Sequence, residues 1–265
     1  MKRYLTIYIE CIKTAMARAL TYRLNFVLSL LITIGYNALF PLVSILIYRS
    51  GASFPGWNFY EVLLMQSIFI LSQGFASIMF NNVLWTTMYH IREGSFEIVL
   101  LKPLNPLFYL IASNFDPESV GLIIGGIVLF VFSLMQTEIA NFVCTSAAAI
   151  PQFLLLFTAG FAVMAGINLI MAATSFKWVG NSRIPEIFDT VLTFGKYPIN
   201  IFPAAIKGIV TYIIPVGMIG FYPASALLCR LEPTVLFAVI PCMLFMFLGI
   251  WLYQFMVRLY EGVGG

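Results

Sequence analysis

Charge is what this sequence has least of. Only 9% of its 265 residues are Asp, Glu, Lys or Arg, while 61% are hydrophobic and the mean hydropathy is +0.97. A soluble domain carries roughly 25% charged residues to cover its surface, so a water-exposed globular fold is excluded. Histidine is nearly missing too: His90, the single one, has no Cys or His near it, and no metal site is expected. The four cysteines, Cys11, Cys144, Cys229 and Cys242, show no C-x-x-C spacing, which argues against zinc and redox chemistry. Cys144 and Cys229 both fall on the predicted outer side, but a sequence does not place two thiols within bonding distance. The phosphate loop G-x-x-x-x-G-K-[ST], the nucleophile elbow G-x-S-x-G and the zinc motif H-E-x-x-H do not occur. The chain is therefore expected to be no enzyme and to hold no cofactor of its own. Nucleotide energy, if used, must come from another chain.

What the sequence has instead is long apolar runs. A hydrocarbon core about 30 Å thick takes roughly 20 helical residues, and suitable runs occupy 25–48, 59–81, 119–136, 147–176, 204–228 and 234–256. They are continuous in Leu, Ile, Phe and Val and do not alternate, which excludes a β-barrel. The expected fold is an all-α integral membrane protein, six transmembrane helices in a single domain, 1–265. The first run starts too late and is too long for a signal peptide. Before it, within 1–23, Tyr4, Tyr8, Cys11, Ile12, Ala15, Ala19 and Tyr22 recur at helical spacing, while Arg3, Glu10, Lys13, Thr14 and Arg18 lie mostly elsewhere. This pattern predicts an amphipathic helix in the inner membrane interface, in contact with lipid.

Short cytoplasmic loops retain Lys and Arg. Cations cluster in the amino-terminal segment, in the second loop at Arg92 and Lys102, in the fourth at Lys177, Arg183, Lys196 and Lys207, and in the tail at Arg258, leaving Arg49 and Arg230 outside. Both termini are thus expected in the cytoplasm of a cell-membrane protein. The net charge of +3 is accounted for by this bias, and no nucleic-acid partner is expected.

Acids are scarce within the runs: Glu61 lies at a span end, Glu138 and Glu232 in outer loops, and Asp116, Glu118, Glu186 and Asp189 near inner ends. Ion-coupled carriage loses its usual handle. Neutral groups remain, and most serve helix packing, as small residues and interhelical amides do. The functional alternative is that Tyr36, Asn37, Met65, Gln66 and Gln73 line a path for a hydrophobic or amphipathic substrate. Pro198, Pro203, Pro215 and Pro223 punctuate the fifth run, and proline removes a helical hydrogen bond. That span is expected to be broken or partly re-entrant. Residues 186–197 read either as a cytoplasmic amphipathic helix or as the start of this span, with Lys196 and Lys207 favouring the cytoplasm.

Between the second and third runs lies the polar stretch 86–106. Arg92, Glu93 and Glu97 offer both signs of charge to a partner surface, Gly94 permits a sharp turn, and Lys102-Pro103 stops any helix before the third span. Arg92-Glu93-Gly94-Ser95-Phe96-Glu97 followed by Leu100-Leu101-Lys102-Pro103-Leu104-Asn105-Pro106, with six spans, the amino-terminal helix and the late Tyr197-Pro198, Pro215 and Tyr222-Pro223-Ala224, resembles the ABC-2 type permeases over the whole chain. Phe96 departs from the pattern, which favours an acidic or small polar residue there. The resemblance implies an exporter subunit whose second loop, through Arg92, Glu93, Gly94, Glu97 and Lys102, docks as a coupling helix on a separate ABC ATP-binding subunit that holds ATP and Mg. It also implies a second permease subunit, a different chain more readily than a copy. A membrane anchor or signalling component docked to the same ATPase is the alternative.

Overall fold

A computed structural model describes residues 2–136, 148–178 and 183–261. Helix α1 (Lys2–Thr21) is followed by α2 (Arg23–Arg49), α3 (Phe59–Arg92), the single turn α4 (Glu97–Leu100), α5 (Pro106–Ser113) and α6 (Val120–Gln136). Then come α7 (Ala149–Thr174), α8 (Arg183–Phe194), α9 (Ala204–Gly208), α10 (Phe221–Leu227) and α11 (Val239–Arg258). Five of these, α2, α3, α6, α7 and α11, are long and apolar enough to cross a membrane, and five of the six expected spans fall on them, all but 204–228.

Helix α3 is the axis of the bundle. Its most apolar window is 72% buried inside the protein, against 11% for that of α2, so α3 is packed by protein while α2 faces outward. Close contact depends on small residues. A Cβ on Gly74 of α3 would stand 2.9 Å from the Ile123 side chain of α6, and one on Gly249 of α11 would stand 2.8 Å from the Gly166 carbonyl of α7. Helix α1 presents most of the expected stripe: Tyr8, Cys11, Ile12, Ala15 and Ala19 are half-buried while Arg3, Glu10, Lys13 and Arg18 are exposed, but Tyr4 and Tyr22, expected on the same stripe, are exposed too. Its Tyr4 ring meets Phe108 of α5 edge-on at 4.8 Å.

The two ends of the bundle are distinct. At the lower end the loop after α3 meets the ends of α7 and α11, with Phe96 against Phe176 and Tyr260. At the upper end Arg230 reaches Gly56 and Glu61, and Phe221 packs on Trp57. Residues 204–227 break as the prolines foretell, bending by 75° between Ala204–Ile213 and Val216–Leu227. The first arm ends in a wide turn in which the Ile214 N–H donates to the Ile209 carbonyl. The elbow lies at mid-depth, where the Met218 carbonyl is 2.6 Å from the position of a Cβ on Gly160.

Both arms then belong to the upper half, because Asn200 and Lys207 line one cavity with Gly56, Trp57, Arg230 and Glu232. The segment expected as a fifth span is a re-entrant elbow. Helix α8 rises from the lower end of α7 until Gly195 touches Phe69 and the Val216 carbonyl, and 196–203 continue above it. Lys196 and Lys207, expected in the cytoplasm, therefore both lie in the upper half. Ten Lys and Arg residues remain at the lower end against four elsewhere, so the charge bias keeps its direction. A cysteine at position 207 should react with an impermeant maleimide from the same side as one at Ser53. Reaction from the side of Ser95 would restore the spanning reading.

Candidate coupling and transport surfaces

The lower loop is shaped by its turn. Gly94 has φ +65°, its N–H donates to the Ile91 carbonyl at 3.2 Å and the Ser95 N–H to the His90 carbonyl at 2.8 Å. That bond pair around a left-handed glycine is a Schellman stop for α3. His90 Nδ1 and Ser95 Oγ, 2.8 Å apart, tie the two sides of the turn. Gly94→Val should cost about 1–2 kcal/mol, because a β-branched residue is strained at this φ. Thermal unfolding in detergent would read it, with Gly94→Asn milder.

Beyond the turn Phe96 is fully buried, its ring 5.0 Å from Phe176 and 5.1 Å from Tyr260, both edge-on. The departure from the family pattern at Phe96 is thus a brace that fixes α4 to α7 and α11 from behind. Buried Val99 adds a second anchor. Arg92, Glu93, Glu97 and Lys102 are exposed on the other side, the Lys102 ammonium 6.0 Å from the Tyr109 ring centroid. Between them stand Ile98, Leu100 and Leu101, the last 83% exposed. Sequence reading singled out the charges and passed over this apolar crest, which in so hydrophobic a chain carries no signal until its neighbours are known.

The five proposed path residues do not come together. Tyr36 is 69% exposed on the outer face of α2. Asn37 lines a groove of about 330 Å³ between α2 and α6 with Ile34, Ala38, Pro41, Gly125 and Phe132. Its amide Nδ2 is committed to the Thr33 carbonyl at 2.9 Å. Met65 and Gln66 are sealed in the core. Gln66 Nε2 donates to Ser44 Oγ at 2.9 Å and to the Lys196 carbonyl at 3.4 Å, while its Oε1, like that of Gln73, has no partner among the described residues. Of the four prolines, Pro215 stands at the elbow and Pro223 within α10, all of whose residues are buried; Pro198 and Pro203 frame the ascent above α8.

At the upper end a capping box opens α3. Glu61 N–H donates to Asn58 Oδ1 and Asn58 N–H to Glu61 Oε2, each at 2.9 Å. Arg230 grips the same carboxylate with two nitrogens, at 2.7 and 3.1 Å, and donates to the Gly56 carbonyl at 3.0 Å. The pair, 169 positions apart in sequence, ties the end of the re-entrant elbow to the axial helix. Cys144 lies outside the described residues, so its relation to Cys229 does too.

No group of three or more His, Cys, Asp or Glu that could hold a metal occurs among the described residues. Five long apolar helices, a bent helical pair at one end and a braced helical turn at the other define a multi-span helical membrane protein. The family model described as ABC-2 family transporter protein matches residues 12–264, and the chain belongs to that family. No curated protein and no solved structure matches it.

Proposed function

We propose that this chain, as a single domain over 1–265, is the membrane subunit of an ATP-driven exporter that moves a hydrophobic or amphipathic substrate. Partnership with an ATP-binding subunit is what membership of the family implies. The observation that carries the reading is the α3–α4 turn. It is held rigidly from behind by Phe96 and Val99 while Arg92, Glu93, Glu97, Ile98, Leu101 and Lys102 stand free. An apolar crest ringed by both signs of charge has the composition of a protein-docking surface. A rigid brace passes force, where a flexible loop would absorb it.

In this reading ATP and Mg sit in the partner, two permease subunits and two ATPases make the working unit, and both termini are cytoplasmic. Closure of the ATPases pushes α4, and through Phe96 the push reaches α7 and α11. Combined Arg92→Ala, Glu93→Ala and Glu97→Ala should leave insertion intact and weaken assembly, since removing each charge-assisted hydrogen bond costs about 1–3 kcal/mol. Export by reconstituted complexes is the readout. Variants that bind the ATPase and export at the normal rate would remove these side chains from the coupling. The anchor reading predicts ATPase docking with no substrate movement under any condition.

A further inference from the structure

Lys196 lies in the upper half of the bundle, its carbonyl against buried Gln66 near the upper end of α3, with Tyr197 against Phe54 of the upper loop and Gly195 against Phe69. Its ammonium is 4.0 Å from the centroid of the Phe40 ring and 5.6 Å from that of Phe69. Tyr197 closes the slot, edge-on to Phe40 at 6.2 Å. No carboxylate approaches the ammonium within 4.0 Å among the described residues. Aromatic faces attract an ammonium that has no counter-charge beside it. The chain keeps its own ammonium at these rings, which shows what kind of group the slot accepts.

Below the slot α8 carries the acids. Glu186, Asp189, Thr190 and Thr193 recur at helical spacing, and no residue of α8 is buried. The two hydroxyls are spent on the helix backbone, Thr190 on the Glu186 carbonyl and Thr193 on that of Asp189. Neither carboxylate forms an ion pair among the described residues. Carboxylates at membrane depth almost always face a water-filled path or another protein. Asp189 precedes Lys196 by seven positions, close to two turns of helix.

We propose that the Phe40–Phe69–Tyr197 slot, with Asp189 beneath it, is a binding station for the positively charged centre of an organic cation with an apolar body. Lys196 holds the slot when it has no substrate. An arriving cation is drawn by Asp189 and takes the aromatic faces, and the displaced ammonium turns down to the carboxylate. The inference rests on the permease reading and names the substrate class of that permease.

The test uses the detergent-solubilised complex with its ATP-binding partner and two probes of one shape and opposite charge, tetraphenylphosphonium and tetraphenylborate, in equilibrium dialysis. The phosphonium should bind and the borate should not. Asp189→Asn should weaken phosphonium binding about tenfold, the equivalent of one charge contact. Phe40→Leu should weaken it as well, and Lys196→Met, which vacates the slot, should hold or tighten it. Preferred binding of the borate, abolished in Lys196→Met, would make this an anion site and overturn the proposal. So would phosphonium binding indifferent to both Asp189 and Phe40. If Lys196→Met does not fold, Asp189→Asn and Phe40→Leu decide alone. Docking of the ATP-binding chain, scored separately on the wild type, tests the permease reading itself.

Discussion

Phe96→Ala should insert into the membrane normally, unfold at a distinctly lower temperature in detergent, and fail to retain an ATP-binding partner. Its ring is fully buried between Phe176 and Tyr260, and deleting a buried phenyl group costs about 3–5 kcal/mol. The loss falls on the packing that joins α4 to α7 and α11. Phe96→Leu fills most of the volume and should lose less than half as much. Thermal unfolding and co-purification measured on the same preparations separate the two consequences. Unchanged values in both would show that the ring is not the brace.

Arg230→Ala should be the most damaging change at the other end. It strips two hydrogen bonds from a Glu61 side chain that is only 6% exposed, while Arg230 itself is 51% exposed and easily hydrated on its own. A buried carboxylate left without its counter-charge costs about 3 kcal/mol, the low end of the usual range, because the Asn58 N–H still reaches it. Glu61→Gln combined with Arg230→Gln should recover most of that loss, since the uncompensated charge goes with the acid. A double-mutant cycle in thermal stability measures the coupling. Equal stability of Arg230→Ala and the wild type would mean that the elbow is not fastened there.

What could be read from the sequence followed from local periodicity. The half-buried stripe of α1, the five long spans, and the stop at Gly94 are all decided within a few turns of chain, by hydrophobic spacing or by one residue's φ. The break at Pro215 was equally local. Its direction was not, because an apolar run that crosses and one that dips and returns have the same composition. Helix α8 was legible as one of two readings of 186–197, but 12 residues with Glu186 and Asp189 among them carry no hydropathy signal that says where the helix runs. Lys196 and Lys207 were then assigned to the cytoplasm by a charge rule that holds for loops. Glu61 and Arg230, Phe96 and Phe176, and Lys196 and Phe40 are partners only through tertiary structure.

The account stands most directly on where the α3–α4 turn touches another protein. A photoreactive benzoylphenylalanine placed at Leu101, at the crest of that turn, should on irradiation of membranes join this chain to an ATP-binding subunit. The same group at Ile240, on the exposed face of α11 near the upper end, should not. An ATP-bound state that shifts the yield at Leu101 would show the turn under load. Crosslinking from Ile240 with none from Leu101, or from neither while the ATPase co-purifies, would contradict the assignment of this turn as the point where ATP hydrolysis is felt.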